Sequence, residues 1–360
     1  MKEIIVMRNN KVVKEIFEIE KILKDENNQT FFLFCHENPD GDALGGVFAM
    51  KFLIEKYYSN FSKKRIIKIC LTEKNRQNIS KSYFFLPTLK DFIENENNSE
   101  DSKSFANNKI KGDVAIFIET SNVKRAGFSD ENLEVKTIIN IDHHKINDFF
   151  GQINWVDSKK AAVCEMVYII YKQLGKKIDL KTALCLYTGI LTDTGRFQYS
   201  NMKIEIYDII KGLVKKGIDI NFVYTNIYGS KTKNNIFFMK ELLNNLEFFN
   251  IEKISFAFSF VDENFIQKNS IKHEDMEGAT DYLRDIENVD IAIFAKPKMT
   301  GIFKFSMRAR GNFAVDKLSA IFDGGGHKFA AGFDIKADNI LNAKKIVLEK
   351  ITGTRNILIF

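Results

Sequence analysis

The sequence predicts a two-domain α/β protein whose first domain is a doubly wound parallel sheet. Three observations carry this. Short apolar runs, FFLFC (31–35), VAIFI (114–118) and TIINI (137–141), each end abruptly in charged, polar or glycine residues, as buried parallel strands do. Amphipathic stretches such as ALGGVFAMKFLIEKYY (43–58) lie between them, so strand and helix alternate. The chain has 360 residues, more than a single core usually accommodates, and a second strand region opens near residue 250.

A helix-like segment precedes the first strand. Residues 91–112, DFIENENNSEDSKSFANNKIKG, are polar, Asn-rich and acidic in their first half, and read as a mobile surface loop. Residues 160–175 and 180–191 read as helices, the second delivering LTDTG at its end. Residues 203–248 are strongly helical and amphipathic with no strand signal. IEKISFAFSF (251–260), VDIAIFAKP (289–297) and GIFKFSMRAR (301–310) then read as strands, with a helix over 275–286. The expected organisation is a first domain over 1–202, a helical linker over 203–248 and a second α/β domain over 249–360, with a cleft between the two domains. No internal repeat is present.

Composition narrows the function classes. With 45% hydrophobic and 28% charged residues the chain reads as a soluble globular protein. A formal charge of +6 suits an anionic substrate and falls short of a long nucleic-acid track. Cys35, Cys70, Cys164 and Cys185 show no CxxC spacing, and three lie in apolar runs, which favours reduced core thiols over zinc or redox chemistry. Neither an apolar signal core nor a bilayer-length apolar run appears, so the expected location is cytoplasmic, with no membrane partner. Thirty-three phenylalanines against three prolines, with abundant Lys, Asn and Ile, suggest an AT-rich coding bias and warn against reading any single aromatic or lysine.

The informative residues follow the strands immediately: His36 after the first, Glu119 after the second, Asp142 after the third. In open α/β sheets ligands bind at the carboxyl ends of the strands, so this placement predicts one shared site. In HENPDGDALGG (36–46), His36, Asp40 and Asp42 sit in a turn supplied by Pro39 and Gly41, where they can point into one small volume; the plain alternative is a turn whose acids cap the following helix. IDHHK (141–145) sets Asp142, His143 and His144 in succession, costly unless they bind something; one imidazole can ligate a metal while the other contacts phosphate or moves a proton. Asp193, in LTDTGRFQYSN (191–201), can bridge two cations, and Arg196 can neutralise a phosphate; without context the same residues are an ordinary helix end. In DGGGHKFAAG (323–332), Gly324, Gly325, Gly326 and His327 form a flexible backbone segment able to approach phosphate or a base. Arg308 and Arg310, two apart on a strand, face the same side and can join it.

Together these motifs resemble those of the DHH phosphoesterase superfamily, specifically the bacterial DHH–DHHA1 oligoribonucleases, or nano-RNases, which also act as pAp phosphatases. The resemblance runs over nearly the whole chain. It implies a DHH metal-binding catalytic domain with a parallel sheet, the helical linker, and a smaller mixed-sheet DHHA1 substrate-binding domain. His36, Asp40, Asp42, His143 and Asp193 are then expected to hold a pair of divalent cations, normally Mn2+, with Mg2+ or Co2+ as substitutes. Asp142 is expected to support the histidines, and His144 to contact the scissile phosphate. Arg308, His327 and Gly324 to Gly326 match the family's substrate-binding elements. A homodimer is left open.

One departure matters. Where the family usually carries a metal-bridging aspartate this chain has Glu119, whose extra methylene moves the carboxylate outward while metal–oxygen distances tolerate only a few tenths of an ångström. Either the backbone retreats or the cation pair is altered; the expectation is that Glu119 remains a ligand. Asp113, at the other end of that strand, is no substitute. Asp323 stands where a fourth glycine is often found, and would weaken phosphate binding if it faced the cleft.

The leading expectation is therefore hydrolysis of short RNA to 5′-mononucleotides and of pAp to AMP, by in-line attack of a metal-bridging water. The alternatives are a pApA or cyclic-dinucleotide phosphodiesterase, a RecJ-like exonuclease, an inorganic pyrophosphatase, and a nucleotide-binding protein whose metal site has decayed.

Overall fold

Strand β1 (Thr30–Phe34) sends Phe31 and Leu33 into one apolar layer and Phe32 and Phe34 into another. Strand β3 (Ile110–Ile118) does the same, with Val114, Ile116 and Ile118 on one face and Ala115 and Phe117 on the other. A strand buried on both faces has no polar alternation to display, which is why these segments read as unbroken apolar runs. With β2 (Ile66–Cys70), β4 (Leu133–Asp142) and β5 (Ile153–Val156) they form a five-stranded, all-parallel sheet in the order β2-β1-β3-β4-β5. The computed structural model describes residues 12–58, 65–98, 109–229, 231–311 and 313–353. The chain divides into two units, Met1–Ser230 and Lys231–Phe360.

On one face of the first sheet the helices Gly41–Tyr58, Val163–Gln173 and Leu180–Asp193 share a single core. Their approach is close: a Cβ on Gly45 would lie 2.4 Å from the Cys185 carbonyl oxygen, so only glycine fits there. On the other face Phe34 stacks on Phe117 with ring centroids 4.4 Å apart and meets the edge of Phe128 at 5.2 Å. Because the strands are parallel, β1, β3 and β4 end at the same edge of the sheet and deliver His36, Glu119 and Asp142 there. The four cysteines are buried and form no disulfide. Among the described residues no helix is long and apolar enough to cross a membrane.

The stretch 203–248, expected to be a linker, is helical but is shared between the two units. Helices Ile204–Val214 and Ile220–Tyr224 bury Ile206, Ile209, Leu213 and Val223 in the first core, whereas Lys233–Asn244 buries Phe238 and Leu242 in the second unit. Each has an apolar stripe that must be covered, so each packs onto a sheet domain. The expected loop over 91–112 also differs. Leu89–Asn98 is a helix anchored by Leu89 and Ile93, and β3 begins at Ile110; residues 99–108 lie outside the described residues.

The second unit is a six-stranded mixed sheet in the order β10-β11-β9-β8-β7-β6. Its strands are β6 (Glu247–Ile251), β7 (Ile254–Phe260), β8 (Ile291–Met299), β9 (Ile302–Ala309), β10 (Gly325–His327) and β11 (Ala330–Lys336). β7 and β8 pair in parallel, and the other neighbouring strands pair antiparallel. Helices Val315–Ala320 and Ile340–Thr352 pack on one face, and Lys233–Asn244 and Ala279–Arg284 on the other. The glycine run, expected to be flexible backbone, is instead the edge strand β10, with Gly326 registered against Ala331. Closeness explains its composition: a Cβ on Gly324 or Gly326 would lie 2.4 Å from the carbonyl oxygen of Gly332 or Ala330 respectively, while one on Gly325 would meet only open space.

Candidate metal centre and phosphate site

Glu119 follows β3 directly, with its backbone in the left-handed region (φ 56°) and its N–H donating to the Ile141 carbonyl at 3.0 Å. A left-handed glutamate is strained, and such strain gathers at functional sites. The carboxylate is buried. Its Oε1 lies 3.8 Å from His143 Nε2 and its Oε2 4.0 Å from His36 Nε2, yet Oε2 has no hydrogen-bond partner. A buried carboxylate oxygen without a donor is costly unless a cation meets it.

The histidines are aimed by their other ring nitrogens. His36 Nδ1 lies 2.8 Å from the Glu37 carbonyl oxygen, and His143 Nδ1 lies 3.3 Å from that of Lys160. Both Nε2 atoms are thereby turned toward the acids, as in metal sites whose ligands are oriented by backbone carbonyls. Asp40 has two tasks. Its Oδ1 accepts from the N–H groups of Asp42 and Ala43 at the start of the helix Gly41–Tyr58, and the same oxygen lies 4.0 Å from His36 Nε2. The capping alternative is thus real for Asp40 and does not exclude the other role. Asp42 is fully buried and accepts from the N–H groups of Val163 (2.5 Å) and Cys164 (2.9 Å), at the positive end of another helix.

Two sets of three donors result, His36–Asp40–Glu119 and Asp42–Glu119–His143, each with its ligand atoms within 4.8 Å of one another. Glu119 belongs to both. Asp193 joins through its Oδ2, 3.6 Å from His143 Nε2. The donor set of carboxylates and imidazoles, and the unpartnered Glu119 oxygen, fit divalent cations.

The electrostatics agree. Burial and the charges of Asp40, Asp42 and Asp193 push the Glu119 carboxyl well above the usual range, and burial also raises Asp42. Although 26% of the Asp193 side chain is exposed, burial pushes its carboxyl up to about 8 against the pull of His143. Burial disfavours a charge on His143, but Asp193, Asp42 and Asp142 outweigh it and raise its pKa. Four carboxylates repelling one another, with Asp42 and Glu119 buried, favour positive charge among them.

Asp142 and His144 form a dyad beside this cluster, with Nδ1 of His144 2.7 Å from Oδ1 of Asp142. Burial opposes ionisation of Asp142, but hydrogen bonds from His144 and Asn147 overcome it and hold its carboxyl below the usual range. Asn147 donates to Asp142 Oδ2 at 2.7 Å and lies 2.9 Å from Asn140 Oδ1; Asn140 in turn donates to the Thr120 carbonyl. This asparagine chain, and Asn201, which donates to the Asp193 carbonyl, were missed in the sequence, where a lone Asn carries no spacing signal.

Asp113 is structural, as expected: its carboxylate accepts from the N–H groups of Gln29 and Thr30 and pairs with Lys136. Arg196 lies in a run of three left-handed residues, Gly195, Arg196 and Phe197, with its guanidinium 5.3 Å from the centre of the Tyr228 ring.

In the second unit an open cavity of about 780 Å³ is lined by Lys304, Ser306, Arg308, Gly324, Gly325 and Gly332, among others. Asp323 also lines it. Arg308 Nε lies 3.3 Å from Asp281 Oδ1. Arg310 lies just beyond β9 and pairs with Asp285 at 3.5 Å, outside the cavity lining, so the two arginines do not converge there. His327, at the end of β10, is exposed and is absent from that lining.

Comparison with known proteins agrees with this architecture. The model of the DHH family, N-terminal domain, matches residues 30–190, and that of the DHHA1 domain matches residues 253–353. An uncharacterized protein of Mycoplasma genitalium is 26% identical, over 86% of this chain and 87% of its own length. The bifunctional oligoribonuclease and PAP phosphatase of Bacillus subtilis is also 26% identical, over 87% of this chain and 92% of its own. The crystal structure of an exopolyphosphatase-related protein from Bacteroides fragilis superposes with a TM-score of 0.78 at 24% identity, covering 95% of this chain and 99% of that one.

Proposed function

The chain belongs to the DHH proteins that carry a DHHA1 domain, and from that premise we propose that it is a divalent-cation-dependent phosphoesterase acting on short oligoribonucleotides and on pAp. The observation that carries this reading is the pair of three-donor sets sharing Glu119, with the Asp142–His144 dyad beside them. The full-length similarity to a relative named for both activities supports the substrate class.

His36, Asp40, Asp42, Glu119, His143 and Asp193 would hold the cations, manganese being the first candidate. When bound, such cations acidify water and neutralise charge on a phosphoryl group. Asp142 accepts from His144 Nδ1–H, and in the imidazolium form the ring's Nε2–H can donate a hydrogen bond to a phosphate oxygen or a proton to the departing ribose oxygen. Asn147 and Asn140 keep the Asp142 carboxylate turned toward that ring. In the second unit, Arg308 and the backbone of Gly324 to Gly326 bind the nucleotide, with His327 nearby in sequence. Gly325 faces open space, so a base or ribose can approach the strand there. A net charge of +6 favours substrates of a few nucleotides over long polymers.

The test is release of mononucleotides from RNA of two to five and about twenty-four nucleotides, with pAp and pyrophosphate alongside, in manganese, in magnesium and in EDTA. Metal-dependent hydrolysis of short RNA and pAp, lost in His143→Ala, is expected. Hydrolysis of pyrophosphate alone, or activity surviving that substitution, would overturn the reading.

A further inference from the structure

On β9 the side chains of Lys304, Ser306 and Arg308 alternate with the buried Phe303, Phe305 and Met307 and so share one face of the sheet. All three line the cavity of the second unit, together with Lys298, Asp323 and Asp334; Lys296 lies beside Lys304 just outside that lining. Lys304 is registered directly against Lys296 of β8 on one side and Asp334 of β11 on the other. Two ammonium groups opposite each other across adjacent strands repel, an arrangement that sheets avoid.

The other cations of this face are matched. Arg308 meets Asp281, and Lys298 binds Asp334 at 2.5 Å. Among the described residues neither Lys296 nor Lys304 has a carboxylate within 4 Å. Lys296 is only partly exposed, and Glu277 acts on it from further away. Burial and Lys304 push the Lys296 ammonium down to about 8, and burial with both lysines pushes His273 down to about 4, so the two ammonium groups crowd one another at this corner of the sheet, where the nearby carboxylates are Glu277 and the Lys298-bound Asp334. Arg308 and Lys304 are four positions apart on an extended strand, roughly 13 Å, with the Ser306 hydroxyl between them. That sets two cations and a hydroxyl, group types suited to phosphate, along one line.

We propose that Lys304 and Lys296 form a second phosphate subsite, which holds a phosphodiester of the nucleotide chain beyond the one held at Arg308. The inference deepens the reading above by giving the second unit a grip on substrates longer than one nucleotide. The chemistry recognised is a phosphate anion, and the test separates a nucleotide chain from an inorganic polyphosphate.

The experiment measures binding of a fluorescently labelled pentaribonucleotide to the full chain in EDTA, by anisotropy over a range of salt concentrations. Lys304→Gln, Lys296→Met and Lys304→Arg are compared with wild type, with unlabelled RNA and tripolyphosphate as competitors. Lys304 is exposed and Lys296→Met keeps the aliphatic stem, so at least the first variant folds. Expected results are a weakening of about 10-fold in Lys304→Gln and in Lys296→Met, with the slope of log affinity against log salt shallower by about 0.7 for each lysine removed, and recovery in Lys304→Arg. Affinity and salt slope equal to wild type in both charge-removing variants would overturn the subsite. Displacement by tripolyphosphate as efficient as by RNA, at equal phosphate, would overturn its assignment to a nucleotide chain. The readout needs no catalysis: a chain that hydrolyses nothing yet loses RNA affinity in these variants refutes the proposed reaction alone, and one that hydrolyses short RNA while its variants bind like wild type refutes the subsite alone.

Discussion

Glu119 Oε1 stands 3.8 Å from His143 Nε2, while the second oxygen of the same carboxylate, buried and without a hydrogen-bond partner, faces His36. One side chain thus belongs to both donor sets. Glu119→Gln keeps the shape and removes the charge, so it should cost both cation positions at once. The expected outcome is loss of bound manganese by elemental analysis, and a fall in kcat beyond the ~10–100-fold typical of changing a supporting residue. Unchanged metal content with full activity would show that Glu119 is only a buried acid.

The crowding of carboxylates predicts a pH dependence that metal should cancel. Asp193 is raised from its ordinary 3.8 to about 8, so the folded state holds this proton more tightly than the unfolded one. The stability it contributes is therefore fully present below about pH 4 and is lost as pH rises through about 8. Metal-free protein should melt at a higher temperature at pH 6 than at pH 9, and Asp193→Asn should flatten that slope. Manganese at a hundredfold excess over its Kd should add about 2.7 kcal/mol to stability. Calorimetry in EDTA and in manganese checks both; a metal-free melting temperature that climbs toward pH 9 would contradict the assignment.

Asn147 touches no predicted ligand, yet it donates to Asp142 Oδ2 at 2.7 Å. Replacing it by Ala removes one of the hydrogen bonds that keep the Asp142 carboxylate ionised and turned toward His144. We expect kcat to fall by about 10-fold or more, with metal content unchanged and KM little altered. A rise in KM alone would place Asn147 in substrate binding instead.

The parts of this site that could be read from the sequence are those in which chemistry and secondary structure coincide. His36, Glu119 and Asp142 follow apolar runs that are strands buried on both faces, so their convergence needed only the rule that parallel strands end at one edge. Asn140, Asn147 and Asn201 were not legible, because each acts through hydrogen bonds to residues placed by the fold, and asparagine is common throughout this chain. The helix Leu89–Asn98 was obscured by polar composition, since Leu89 and Ile93 supply its buried side chains within a run that otherwise reads as loop. The glycine run misled in another way: its glycines mark close contact with β11 at Gly324 and Gly326, which is a packing constraint and not mobility.

A glycine buried beside the Asp42 carboxylate offers the most stringent test of the packing behind the candidate site. Gly189 lies in the helix Leu180–Asp193, and a Cβ there would stand 2.3 Å from Cys164 Sγ and 2.5 Å from Asp42 Oδ1. Neither neighbour can withdraw easily, because Cys164 is buried in the core and the Asp42 carboxylate is held by the N–H groups of Val163 and Cys164. Gly189→Ala should therefore destabilise the fold by about 1–3 kcal/mol, as overpacking does, and should also displace Asp42 and weaken metal binding. Cys164→Ala in the same chain removes the thiol clash but not the one with Asp42. The double variant should regain part of the stability in denaturant titrations while manganese affinity and activity stay low. Recovery of both together would mean that the Asp42 carboxylate is free to shift, and that its position owes nothing to this contact.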